Sequence, residues 1–170
     1  MDAEPKAYWH AIDQTPWEWD ARARVAAARL AGARAIADLG CGTMVLERYL
    51  APGQTYIPVD LAARDDRTLV VDFDLDPLPA IDADACALLG VLGYLKDPGS
   101  FLRAVGAAFP RTVTSYVAVP LTPKKRATGR CNLMSPKEIR ALFAAADLRI
   151  VWQVRLPSGE ELFDLRSSSQ

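Results

Sequence analysis

Two kinds of apolar block alternate along this chain, one spaced for helices and one continuous, as buried strands require. Thr15-Pro16-Trp17-Glu18 has the form of a capping box with proline at the first helical position. It predicts an amphipathic helix running to about Leu30, with Gly32 as its stop. Ala35 to Leu39 is a short apolar strand, followed by a short helix from about Met44 to Leu50 that Ala51-Pro52-Gly53 ends. Thr55 to Val59 predicts a second strand ending at Asp60, Thr68 to Phe73 a third, and Ala85 to Leu92 a fourth that is almost entirely apolar. Asp97-Pro98 caps a helix reaching about Phe109, and Arg111 to Val119 is a fifth strand. Ser135-Pro136-Lys137-Glu138 is a second capping box, opening a helix to about Ala146. Leu148 to Leu156, the turn Pro157-Ser158-Gly159, and Glu160 to Leu165 read as a closing hairpin.

Continuous apolar strands separated by helices fit a parallel sheet covered on both faces. The expected fold is α/β: a doubly wound, mostly parallel seven-stranded sheet with a C-terminal antiparallel hairpin. One stretch departs from that plan. Only Leu61 to Arg67 separates strands two and three, and only Asp74 to Asp84 separates three and four. Parallel crossovers normally need a dozen or more residues, so the helices between strands 2, 3 and 4 are reduced to a turn or lost. Either the helix after Thr15 or a second subunit, as in a homodimer, would then cover the thinned face. The whole of 1–170 reads as a single domain, a helical cap over 1–33 on an α/β core over 34–170.

Composition narrows the class. At 170 residues and 51% hydrophobic content the chain can bury a real core, and no apolar run approaches transmembrane length. Met1-Asp2-Ala3-Glu4-Pro5-Lys6 has neither a basic start nor an apolar core, so no signal peptide and no membrane association are expected. Lys plus Arg number 20 against 21 for Asp plus Glu, which argues against a nucleic-acid binder. Cys41, Cys86 and Cys131 are far apart and His10 is the only histidine, so a metal site is not expected. Free thiols suit a cytoplasmic protein.

The chemistry gathers at Ala35-Ile36-Ala37-Asp38-Leu39-Gly40-Cys41-Gly42-Thr43, a strand that ends in an acid and runs into a glycine-cornered turn. A strand–glycine turn–helix unit directs backbone N–H groups at one spot, which suits the polar end of a nucleotide-like ligand. Dinucleotide turns want a third glycine where this chain has Val45. Cys41 lies where the turn needs a small residue, a steric role rather than a nucleophilic one. Asp60 ends strand two about twenty residues on, where a carboxylate can accept from both hydroxyls of a ribose.

Asp38, Gly40 and Gly42 in this order resemble the first motif of the class I S-adenosylmethionine-dependent methyltransferases, in which a third glycine usually stands at the place of Met44. The resemblance runs from about Ala35 to Leu165. It implies a Rossmann-like methyltransferase fold, S-adenosyl-L-methionine as cofactor, and methyl transfer to an O or N atom of a small-molecule acceptor. Carried over to matching positions, it implies cofactor contacts from Asp38, Gly40, Cys41, Gly42 and Leu61, and a ribose contact from Asp60. Asp72 and the Phe73 backbone N–H would hold adenine, and Gly90 would let the methionine part approach the fourth strand. Gly93 occupies a place that is often acidic or histidine in relatives, so a side-chain base is missing there. Tyr94 and His10 remain as candidates to touch the reacting groups.

Two further features leave alternatives open. Lys124, Lys125, Arg126 and Arg130 form a basic loop that either closes over an anionic acceptor or is simply solvated. Tyr8, Trp9, Trp17 and Trp19 form either an aromatic lid or ordinary packing. A non-catalytic, methyltransferase-like partner or regulatory module is the alternative function. A nicotinamide-dependent oxidoreductase is disfavoured by Val45, by the terminal hairpin and by the absence of a Tyr-x-x-x-Lys pair.

Overall fold

Every residue of β1 (Ala35–Leu39) and of β4 (Ala85–Leu89) is buried, which places these two apolar segments side by side at the centre of one sheet. The computed structural model describes residues 9–13, 15–118 and 130–168. The other strands are β2 (Thr55–Asp60), β3 (Leu69–Val70), β5 (Arg111–Tyr116), β6 (Leu148–Arg155) and β7 (Glu161–Ser167). They lie in the order β3-β2-β1-β4-β5-β7-β6. All pairings are parallel except those of β7, which runs antiparallel to both β5 and β6. The seven-stranded, mostly parallel sheet with its terminal hairpin is therefore as expected. Strand order reverses between β1 and β4, the place where an open sheet leaves a crevice at its carboxyl ends.

Helix α1 (Trp17–Leu30) covers one face, packing Ala26, Ala27 and Leu30 against Ile36, Ala87, Val113 and Leu162. Helices α2 (Pro98–Ala108) and α3 (Pro136–Ala145) cover the other, with Leu102, Val105, Ile139 and Phe143 against Ala37, Leu88, Phe163 and Leu165. Between β3 and β4 no helix forms. The segment lays Phe73, Leu78, Ile81 and Ala83 on the core instead, an extended strap in place of a crossover helix. Of the two covers expected for the thinned sheet, α1 supplies the one over β1, β4, β5 and β7.

Two helix starts follow the sequence signals. Asp97 accepts from Ser100 N at 2.9 Å, and Ser135 and Glu138 close a reciprocal box through Ser135 N to Glu138 Oε2 at 2.7 Å and Glu138 N to Ser135 Oγ at 3.3 Å. The box expected at Thr15 does not form. Pro16 is the residue before the helix, and the Thr15 hydroxyl lies 2.7 Å from that of Thr43, tying α1 to the glycine turn. The third strand shrinks to Leu69–Val70, both exposed at the sheet edge, because Asp72 O accepts from Leu75 N and Asp76 N and turns the chain away. β4 stops at Leu89, where Gly90 takes φ +77°, and β5 stops at Tyr116, opposite the first residue of β7. The helix expected after β1 is a single 3-10 turn over Val45–Tyr49.

Candidate functional site

The carboxyl ends of β1, β2 and β4 surround a cavity of about 370 Å3, within the range of small-molecule pockets. All nine residues assigned to the cofactor from the sequence line it: Asp38, Gly40, Cys41, Gly42, Asp60, Leu61, Asp72, Phe73 and Gly90. Tyr94 lines it too. His10 is exposed and does not. Of the four aromatic residues considered for a lid, Trp9 and Trp19 line the cavity, Trp17 is 76% exposed, and Tyr8 lies outside the described residues. Lys124, Lys125 and Arg126 also lie outside them.

The glycine turn is built differently from the expected N–H cradle. Gly40 N and Cys41 N both donate to Val59 O, at 2.7 and 3.1 Å, and Gly42 N donates to Asp60 Oδ2 at 2.8 Å. These donors brace the turn on β2 rather than face a ligand, so the polar chemistry of the site falls to side chains. Met44, at the place of the family's third glycine, has φ +55°. An L side chain in that region costs about 1–2 kcal/mol. Met44→Gly is therefore expected to stabilise the protein by about 1 kcal/mol and raise Tm by a few degrees, as a thermal melt would read. An unchanged or lowered Tm would show that the Met44 side chain compensates for its backbone.

Asp38 is 2% exposed, at the end of β1. Its Oδ2 accepts from Tyr56 Oη at 2.7 Å, and no donor among the described residues reaches Oδ1. Burial pushes the carboxyl up to about 7, against the pull of the Tyr56 hydrogen bond and the Arg22 charge. An acid held near neutrality, with one oxygen unclaimed on the wall of a cavity, is suited to a cationic partner. The Cys41 thiol is pushed far above its ordinary value, by burial first and then by the charges of Asp38 and Asp60, which fits a steric role in the turn.

Arg22 of α1 lines the same cavity. Its Nη1 is 3.3 Å from Glu160 Oε1, and the guanidinium lies 4.9 Å from the Trp19 ring centroid. Glu160 is 4% exposed and also accepts from Ser115 Oγ at 2.6 Å. A Cβ on Gly90 would meet Arg22 Nη1 at 2.6 Å, so the missing side chain at 90 is the room that Arg22 occupies.

Asp60 is crowded. Oδ2 takes Gly42 N, and Oδ1 takes Arg64 Nη2 at 2.9 Å and Ala62 N at 3.2 Å. Arg64 continues to Trp9 O at 2.6 Å and Ile12 O at 3.3 Å, so it links the end of β2 to the segment before α1. At the far end, Asp72 Oδ1 accepts from Asp74 N at 3.1 Å, and the Phe73 ring packs 4.7 Å from that of Phe101.

Many solved structures share this architecture. The Burkholderia thailandensis 1,6-didemethyltoxoflavin-N1-methyltransferase, solved with its substrate and S-adenosylhomocysteine, is 18% identical. The match covers 89% of this chain and 80% of that one, with a TM-score of 0.69. The Synechocystis magnesium protoporphyrin IX methyltransferase with S-adenosylhomocysteine is 14% identical over 97% of this chain and 94% of that one, with a TM-score of 0.70. The fold is that of the class I S-adenosylmethionine-dependent methyltransferases. TnmH matches at 20% identity with a TM-score of 0.66, over 89% of this chain but 56% of its own, so this chain spans just over half of that longer protein. No protein-family model and no curated protein matches the sequence.

Within this methyltransferase fold, four contributors escaped the sequence reading: Arg22, Tyr56, Arg64 and Glu160. Arg22 and Glu160 are 138 positions apart, and Tyr56 reaches Asp38 across 18. One local trace existed. Arg22 flanks the small apolar stripe Ala23, Ala26, Ala27 and Leu30, a charge at the rim of a buried helix face.

Proposed function

We infer that the protein moves a methyl group from S-adenosylmethionine to an O or N atom of a small-molecule acceptor. The observation that carries this reading is the pairing of Asp38, buried with an unclaimed oxygen, and Arg22 on the wall of one cavity. Their charges complement the ammonium and carboxylate of an amino-acid moiety. We assign the ribose diol to Asp60 and the adenine to Asp72 and Phe73, which line the same cavity. When bound, the cofactor supplies a methyl group already activated on a sulfonium. The chain's own work is then alignment and exclusion of water, with Trp9, Trp19 and Tyr94 as the apolar wall. We read the whole as one cytoplasmic domain, and the acceptors in the names of the structural neighbours, such as didemethyltoxoflavin, support a small molecule as substrate.

Calorimetric titration with S-adenosylmethionine, S-adenosylhomocysteine and NAD tests this. Micromolar binding of both adenosyl ligands and none of NAD is expected. Asp60→Asn keeps an acceptor for the Gly42 N–H and weakens the pairing with a ribose. It should lower adenosyl affinity about ten- to a hundredfold. Alanine is the poorer probe, because it would leave Arg64 and two backbone donors without their carboxylate.

Arg64 favours a second reading. A carboxylate offers about four acceptor positions, and Gly42 N, Ala62 N and Arg64 already take three on Asp60. A diol that donates twice requires Arg64 to move aside. In a non-catalytic partner or regulatory module it would stay, and none of the three ligands would bind.

A further inference from the structure

The acceptor class can be narrowed, on the footing of the methyl-transfer reading. Three arginines line the cavity: Arg22, Arg64 and Arg130. Arg22 is matched by Glu160 at 3.3 Å and Arg64 by Asp60 at 2.9 Å. Arg130 has no carboxylate within ion-pair distance among the described residues. Its Nη1 makes one long hydrogen bond, 3.4 Å to Val117 O, and its guanidinium lies 5.7 Å from the Tyr94 ring centroid.

Where Arg130 stands matters more than its charge alone. A Cβ on Gly93 would meet its Cδ at 3.5 Å, so the side-chain stem of Arg130 runs beside Gly93, just after β4. The wall around it is aromatic. Tyr94 meets Trp9 edge to face at 4.9 Å, and Trp9 lies stacked 6.2 Å from Trp19. Flat aromatic walls favour planar ligands, and an unmatched guanidinium favours a carboxylate, which it can hold through two parallel hydrogen bonds.

We propose that the acceptor is a planar aromatic carboxylate, held by Arg130 against the Trp9–Tyr94 wall and methylated on a carboxylate oxygen. An oxygen lone pair forms the O–CH3 bond as the CH3–S bond breaks, and the bonding pair leaves with sulfur. The carboxylate and sulfonium charges cancel, giving a methyl ester and a thioether. No proton is transferred, so no base is needed beside Tyr94. A carboxylate has about four acceptor positions, so the arginine fork leaves lone pairs for the attack.

The test titrates the protein, saturated with S-adenosylhomocysteine, with benzoate, 2-naphthoate and the two corresponding primary amides. The carboxylates are expected to bind at least tenfold more tightly than the amides. Arg130→Gln should erase that preference while S-adenosylhomocysteine affinity stays within twofold, which also shows that the variant is folded. With S-adenosylmethionine, chromatography should detect the aryl methyl ester. Equal binding of acids and amides, or a preference that survives Arg130→Gln, would overturn the proposal. If the wild-type protein fails to bind S-adenosylhomocysteine, the methyl-transfer reading itself falls, and the acceptor proposal with it.

Discussion

Asp38→Asn is expected to stabilise the ligand-free protein at pH 8 while lowering its affinity for S-adenosylmethionine by about thirtyfold or more. Both effects come from one buried carboxyl. Burial raises it from an ordinary 3.8 to about 7 in the folded state. An acid with a raised folded value disfavours its own charge there. Its penalty is absent below about pH 4, grows as pH rises towards 7, and is constant above that. The span corresponds to roughly 4 kcal/mol. Asparagine keeps an oxygen for Tyr56 Oη and carries no charge, so the variant should gain stability at pH 8 and almost none at pH 4.

The same charge is what a cationic ligand needs. Truncating one side of a desolvated charge pair typically costs about 2–5 kcal/mol. Wild-type affinity should also weaken as pH falls below about 7, where Asp38 takes up its proton. Urea unfolding at the two pH values and calorimetry from pH 6 to 8 read these effects separately. A stability gain that did not depend on pH would remove Asp38 as its source.

Gly40→Ala is expected to cost about 3–4 kcal/mol and to abolish cofactor binding. The backbone there has φ +80°, and a Cβ would stand 2.3 Å from Val91 Cγ2. The left-handed conformation accounts for about 1–2 kcal/mol of the loss and the clash for the remainder. Val91 is short and branched at the exit of β4, so it cannot swing away. Gly53→Ala is the control, because φ is +88° there and nothing lies within 4 Å of the added carbon. It should show the backbone cost alone. Adding Val91→Ala to Gly40→Ala should recover part of the difference. Equal losses at the two glycines in denaturant titrations would rule out the packing of the turn on β4.

What was legible in the sequence was local. The apolar runs of β1 and β4 and the caps at Asp97 and Ser135 are set by residues within a few positions of one another. The nine positions assigned to a cofactor fall on one cavity because the glycine turn and the strand-ending acids follow one motif order. The failures share a cause in tertiary competition. The Thr15 hydroxyl is claimed by Thr43, so it caps nothing. The apolar run within Thr68 to Phe73 predicts a full strand, but at the sheet edge only Leu69 and Val70 pair in register with β2. The turn's amides looked free for a ligand until β2 supplied Val59 O and Asp60 to receive them. Arg22 has no meaning as a site residue until Glu160 is brought beside it.

That last pairing bears on how the protein can be made. Arg22 is fastened to Glu160 beside the first residue of β7, and Arg29, two helical turns on, is fastened within β7 to Asp164 at 2.7 Å. β7 also lies between β5 and β6, so the sheet is incomplete, and α1 lacks part of its footing, until it is inserted. On a growing chain, the turn, Asp38 and Asp60 leave the ribosome more than a hundred residues ahead of the strand beside which Arg22 is seated. Nascent chains halted before residue 160 should therefore not be retained on an S-adenosylhomocysteine resin, while chains carried through β7 should be.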